Sequence, residues 1–242
     1  MASARVTRKD IKRDELAAGL TGLSVAVQEH ARSVGIAVAA IVVLGLAVGG
    51  GVWYSRSQAA AAQVKLGAVY KALSAPVTEE GAGASLSTDT APYATRRQKY
   101  EEVARLSGIV RNDHPSSTAA KWAAYYTAVA RKELGDHAGA LEALTPIAAG
   151  SDDLLSCSAK YLVGQVKEAS GDLAGALEAY ARLVESAPAG FPVEMAMMSQ
   201  ARILEGQGKT EEAREIYRRI TQEHPDSPFS RDASQRLSPP PG

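Results

Sequence analysis

The spacing of apolar and polar residues divides the chain into segments of different character. In residues 1–32, Ile11, Leu16, Leu20, Leu23 and Val27 recur at helical spacing among Arg5, Arg8, Lys9, Lys12, Arg13 and Arg32. That pattern predicts a short amphipathic helix lying near a membrane face, or alternatively a poorly ordered basic tail. Residues 33–55 then carry no charge at all between Arg32 and Arg56. A bilayer core of about 30 Å needs about 20 mostly apolar residues rising about 1.5 Å each, so the length predicts a single membrane-spanning helix. Trp53 and Tyr54 fall at its far end, where amphipathic rings favour the headgroup level. Two alternatives stay open. A helix buried in a soluble core usually keeps a polar stripe, and a signal peptide has a shorter apolar region nearer its start. Gly45 and Gly49 stand four apart, as do Ala47 and Gly51, giving the span a small-residue side that suits packing against another membrane helix. Glycine is also simply frequent in spans.

Beyond the span, residues 56–95 combine an alanine-rich helical stretch, Gln58 to Ser74, with a linker from Ala75 to Thr95 rich in Pro, Gly, Ser and Thr. From residue 96 to 237 the helical period returns and repeats. Gly135-Asp136 is followed by Ala140 and Leu144, Gly171-Asp172 by Ala176 and Tyr180, and Gly208-Lys209 by Ala213 and Tyr217. The distance from Gly135 to Gly171 is 36 residues and from Gly171 to Gly208 it is 37. Two helices per unit at such a period predict a helical solenoid. Each glycine would supply a turn at positive φ, each alanine a close helix approach, and Leu144, Tyr180 and Tyr217 the seam between units. An unrelated set of helical hairpins is the alternative. The fold class is therefore all-α: one N-terminal transmembrane helix followed by an α-solenoid of helical hairpins. Residues 238–242, with three prolines, read as a disordered tail.

Composition narrows the function. Lys+Arg and Asp+Glu are equal at 27 each, which argues against a nucleic-acid partner. Aromatics make up only 5%, alanine is abundant, and no alternating run reads as a strand. Cys157 is the only cysteine, so no intramolecular disulfide is possible, and it reads as a packing residue. His30, His114, His137 and His224 show no metal-ligand spacing, and no nucleophile elbow or phosphate loop occurs. His114 and His224 each precede a proline at a turn and read as structural. No cofactor, metal site or catalytic residue is expected, and the chain reads as a non-enzyme.

The turn, alanine and seam residues resemble the tetratricopeptide repeat family over about residues 121–227. Ala128, Gly164 and Ala201 match its small first-helix position, and a partial unit at 98–118 ends in His114-Pro115. The match departs where the family is bulky. Those positions hold Ala124, Lys160 and Met197, then Arg131, Lys167 and Leu204. The resemblance implies that the first helix of each unit lines an inner curve. Aligning the units on their turn glycines places Trp122, Tyr125 and Val129 there in the first, Tyr161, Gln165 and Glu168 in the second, and Met195, Met198 and Arg202 in the third. A groove of aromatic and methionine side chains suits apolar polypeptide segments, although the same residues could instead be core between helices. The order of parts is similar to the ancillary subunits of the SecYEG translocon, which are anchored in the bacterial inner membrane with periplasmic repeats. Six cations before the span, against Arg56, Lys65 and Lys71 on its far flank, predict a single-pass protein with a cytoplasmic N-terminus, touching lipid through residues 33–55, with the repeats outside the cytoplasm. The likeness implies that this outside is the periplasm. It also implies a scaffold for translocon subunits, chaperones or unfolded secreted chains. A scaffold for cell-envelope assembly, whether peptidoglycan or outer membrane, is the alternative, and an enzyme accessory subunit is a further one.

Overall fold

The computed structural model describes residues 31–78, 93–150 and 153–238. The amphipathic segment expected before residue 31, most of the 75–95 linker and all but the first residue of the proline-rich tail lie outside the described residues. Among those described the chain is helical, with nine helices: α1 (Ala31–Ser74), α2 (Arg96–Asp113), α3 (Thr118–Glu133), α4 (His137–Ala148), α5 (Leu154–Ala169), α6 (Leu173–Ser186), α7 (Glu194–Gly206), α8 (Thr210–Glu223) and α9 (Pro228–Leu237). The chain divides into two compact units, Met1–Ser57 and Gln58–Gly242.

In the first unit, α1 presents its apolar side chains outward. Val42, Val43, Leu44, Leu46 and Val48 are all more than half exposed, as are Trp53 and Tyr54. The hydroxyls of Ser55 and Ser57 donate back to the Val52 and Tyr54 carbonyls of the same helix. Among the described residues no helix is long and apolar enough to cross a membrane.

The second unit is a stack of hairpins. Residues 58–74 of α1 bury Ala62, Leu66, Val69 and Ala72 against Val103 and Val110 of α2 and Ala119, Ala123 and Ala130 of α3. Sequence spacing sets this segment apart from the repeats; packing makes it the first helix of a hairpin whose second helix is α2. A bridge joins Val77 to Tyr93, with Tyr93 N donating to Pro76 O at 2.9 Å. The pairs α3/α4, α5/α6 and α7/α8 follow, and α9 packs on α7 and α8.

The three tight turns are built alike. Gly135, Gly171 and Gly208 have φ of 84°, 86° and 76°. The amide one residue later bonds back to the carbonyl of Arg131, Lys167 or Leu204, at 2.8, 2.9 and 2.9 Å. Such left-handed closure satisfies the last carbonyls of the first helix. In two turns the same residue then starts the second helix. The carboxylates of Asp136 and Asp172 accept from Gly139 N and Gly175 N, both at 2.9 Å. Arg131 and Lys167, which depart from the family's bulky residues, reach those caps at 3.8 and 3.9 Å. In the third turn Lys209 supplies no side-chain cap. The turns between hairpins also recur. Ser117 N bonds to His114 O and Ser227 N to His224 O, so both histidines sit at chain reversals.

Leu144, Tyr180 and Tyr217 are buried at 0%, 0% and 1% exposure, and Cys157 is fully buried beside Tyr180 and Ala196. Gly164 lies against the Tyr180 ring. A Cβ built there would stand 2.3 Å from the nearest ring carbon, which is why the small residue is needed.

Candidate functional site

First helices of neighbouring hairpins touch one another, α3 with α5 and α7 with α9. The nine residues expected to line an inner curve lie on α3, α5 and α7. None is fully buried: Trp122, Tyr125, Val129, Tyr161, Gln165, Glu168, Met195 and Met198 are half-buried, and Arg202 is exposed. They do not form one site.

Toward the N-terminal end, Trp122 and Tyr125 belong to an aromatic cluster with Tyr70 and Tyr126. Ring centroids lie 5.3 Å apart for Tyr70–Tyr126 and for Tyr125–Tyr126, and 5.9 Å for Trp122–Tyr125. The edge-to-face geometry is the one that aromatic quadrupoles favour. Burial first, and then the neighbouring Tyr70 hydroxyl, pushes the Tyr126 phenol well above its usual range.

Toward the C-terminal end a cavity of ≈ 330 Å³ opens between α5, α7 and α9. Tyr161, Met195, Met198 and Arg202 line it together with Ser199, Tyr217, Phe229, Asp232 and Arg236. Four of the nine expected residues thus meet in one place, and Trp122, Tyr125, Val129, Gln165 and Glu168 do not line it. The residues of α9 escaped the repeat pattern because that helix lies beyond the three units aligned on Gly135, Gly171 and Gly208. The spacing of Phe229, Asp232 and Arg236 after Ser227-Pro228 is the signal that could have found them.

A recurring clasp fixes the walls. Glu168 accepts from Arg202 at 2.8 Å and from the Tyr180 hydroxyl at 3.2 Å, tying α5, α6 and α7 together. One unit later, Glu205 accepts from Arg236 at 2.9 Å. Burial first, and then a hydrogen bond to Glu205, pushes the Tyr217 phenol up to about 12. Glu168 and Glu205 each stand three residues before a turn glycine, so the clasp is a property of the repeat. It neutralises both arginines and leaves an apolar floor of methionine and aromatic rings, which suits binding rather than proton transfer. Among the described residues no group of three His, Cys, Asp or Glu could hold a metal ion.

Residues 161–228 match the family model of the tetratricopeptide repeat. The matched stretch contains α6 to α8 and the cavity residues from Tyr161 to Tyr217, and it supports the resemblance drawn from the turn glycines. Repeats of this family are generally non-catalytic modules that bind other proteins. No curated protein matches the chain.

Proposed function

We propose that this protein is a membrane-anchored, non-catalytic scaffold that holds an apolar segment of another protein between α5, α7 and α9. The observation that carries the reading is the cavity itself, where Met195, Met198, Tyr161 and Phe229 converge on a rim set by Arg202, Asp232 and Arg236. Methionine adapts its shape to varied apolar partners, and aromatic rings anchor them. The anchor is residues 33–55, uncharged throughout, whose side chains from Val42 to Tyr54 are exposed. The 32 residues before the anchor carry six lysines and arginines against three in the 32 after it, so the N-terminus lies in the cytoplasm and the repeats in the periplasm of a bacterial inner membrane. There the scaffold serves secreted chains at the translocon or its chaperones.

Capture of partners by the full chain from detergent-solubilised membranes tests this reading, in parallel with a Met195→Ser, Arg202→Glu variant. Translocon subunits or periplasmic chaperones should be recovered with the native chain and lost with the variant. Recovery of cell-wall or outer-membrane assembly factors instead would keep the scaffold and move it to envelope assembly. Partners retained equally by the variant would rule out the groove.

A further inference from the structure

The tetratricopeptide-like units open a second pair of grooves on the opposite side, over the backs of the first helices. One cavity of ≈ 500 Å³ lies above α3, between the end of α2 and the end of α4, with Ala120, Ala124 and Ile147 on its floor. Another of ≈ 530 Å³ lies above α5, between α4 and α6, with Val163, Ala179 and Leu183 below. The end of α4 separates them, since Ile147 faces the first and Ala148 the second.

Their cause is written in the repeat. Ala124, Lys160 and Met197 each stand eleven residues before a turn glycine, and Arg131, Lys167 and Leu204 four before. In the third unit, Met197 and Leu204 are buried at 1% and 7% exposure and belong to the core with Ile220. In the first unit alanine leaves that volume open, and in the second two lysines line it. Each floor is apolar, and the rim of the first holds more cation than anion. Arg111 and Lys121 stand exposed at the first, where the one lining carboxylate, Asp153, already caps α5 by accepting from Ser156 N at 2.8 Å. At the second, Lys160, Lys167 and Arg182 face Glu178 and Glu185, with Glu178 held by Arg182 at 2.5 Å and Lys167 3.9 Å from the Asp172 carboxylate.

We propose that these adjoining grooves form a second docking surface, for an extended segment of another protein that carries apolar side chains flanked by carboxylates. Charge complementarity selects this occupant: apolar side chains fill the floors, and Asp or Glu between them meets Arg111 and Lys121 at the rim of the first groove. The surface is separate from the cavity between α5, α7 and α9, so one scaffold can hold two partners at once.

Selection of a random twelve-residue peptide library against the full chain in detergent tests the proposal. Peptides enriched in Leu, Ile or Phe beside Asp and Glu are expected, with affinity falling as salt rises. Ala124→Leu plus Lys160→Met restores the bulk of the third unit. It should weaken those peptides by about tenfold or more, the worth of one or two apolar side chains losing their sites, while thermal unfolding stays at or above the native value. Met195→Ser plus Arg202→Glu should leave them unchanged. Selected peptides that are basic or uncharged, or that are lost with the Met195 and Arg202 variant and not with the filled one, would overturn the second surface while leaving the first intact. An empty selection would overturn it as well.

Discussion

At Gly164 a methyl group has nowhere to go, because the Tyr180 ring occupies its place. Gly108, inside α2, has nothing within 4 Å of the same position. One substitution should therefore act with opposite signs at the two sites. Gly164→Ala forces a fully buried ring to move and should cost about 1–3 kcal/mol. Gly108→Ala only removes backbone freedom from the unfolded chain and should stabilise by about 0.4–1 kcal/mol. Urea unfolding of the two variants decides it; equal shifts would mean that the ring is not seated against Gly164. Tyr217 gives a second test at this scale. Its phenol is raised in the folded protein, up to about 12. The neutral form is the one the fold favours, so its contribution is complete below the ordinary tyrosine value of about 10 and is lost as pH rises through about 12. Tyr217→Phe should therefore lose less stability than the native protein between those two values, measured as thermal midpoints along a pH series.

At the scale of the element, the three hairpin turns are one design with one part missing. Asp136 and Asp172 cap their second helices, whereas Lys209 stands in nearly the same backbone conformation, φ −85° and ψ 57° against −77° and 69° at Asp172. Lys209→Asp should supply the absent cap and stabilise by about 1 kcal/mol, and Asp172→Ala should cost a similar amount. Thermal unfolding that ignores both changes would show that the caps carry no weight. The turns were legible in the sequence because a positive φ restricts the residue so strongly: Gly135, Gly171 and Gly208 stand out as a period. Tyr180 and Tyr217 were legible because they follow each glycine at the same distance. Residues 58–74 were not legible as part of the stack. Their partner α2 begins beyond a linker of some twenty residues, so no tight turn marks the pair. The wall contributed by α9 was missed because that helix lies beyond the three units that the turn glycines mark. The departures at Ala124 and Lys160 were visible, but only packing shows that they leave volume open.

At the scale of the whole molecule, the proposed membrane anchor precedes a stack of helical hairpins with a cavity between α5, α7 and α9. The anchor predicts sidedness. A reporter fused after residue 242 should behave as periplasmic and one near residue 10 as cytoplasmic, and digestion of the repeat domain by protease added to inside-out vesicles would contradict that. The small-residue side of the span predicts that Gly45→Ile plus Gly49→Ile reduces crosslinking to membrane partners. Both glycines are open, with nothing within 4 Å, so the variant has room to fold and unchanged crosslinking would discard the packing idea. The binding face is the central claim, and site-specific photocrosslinking in living cells tests it most directly. A photoreactive residue replaces Arg202 at the lip of the cavity or, as the control, Glu215 on the outer face of α8, both exposed positions. The account predicts a discrete protein adduct from position 202 and none from position 215. No adduct from 202, or the same adducts from both positions, would contradict it.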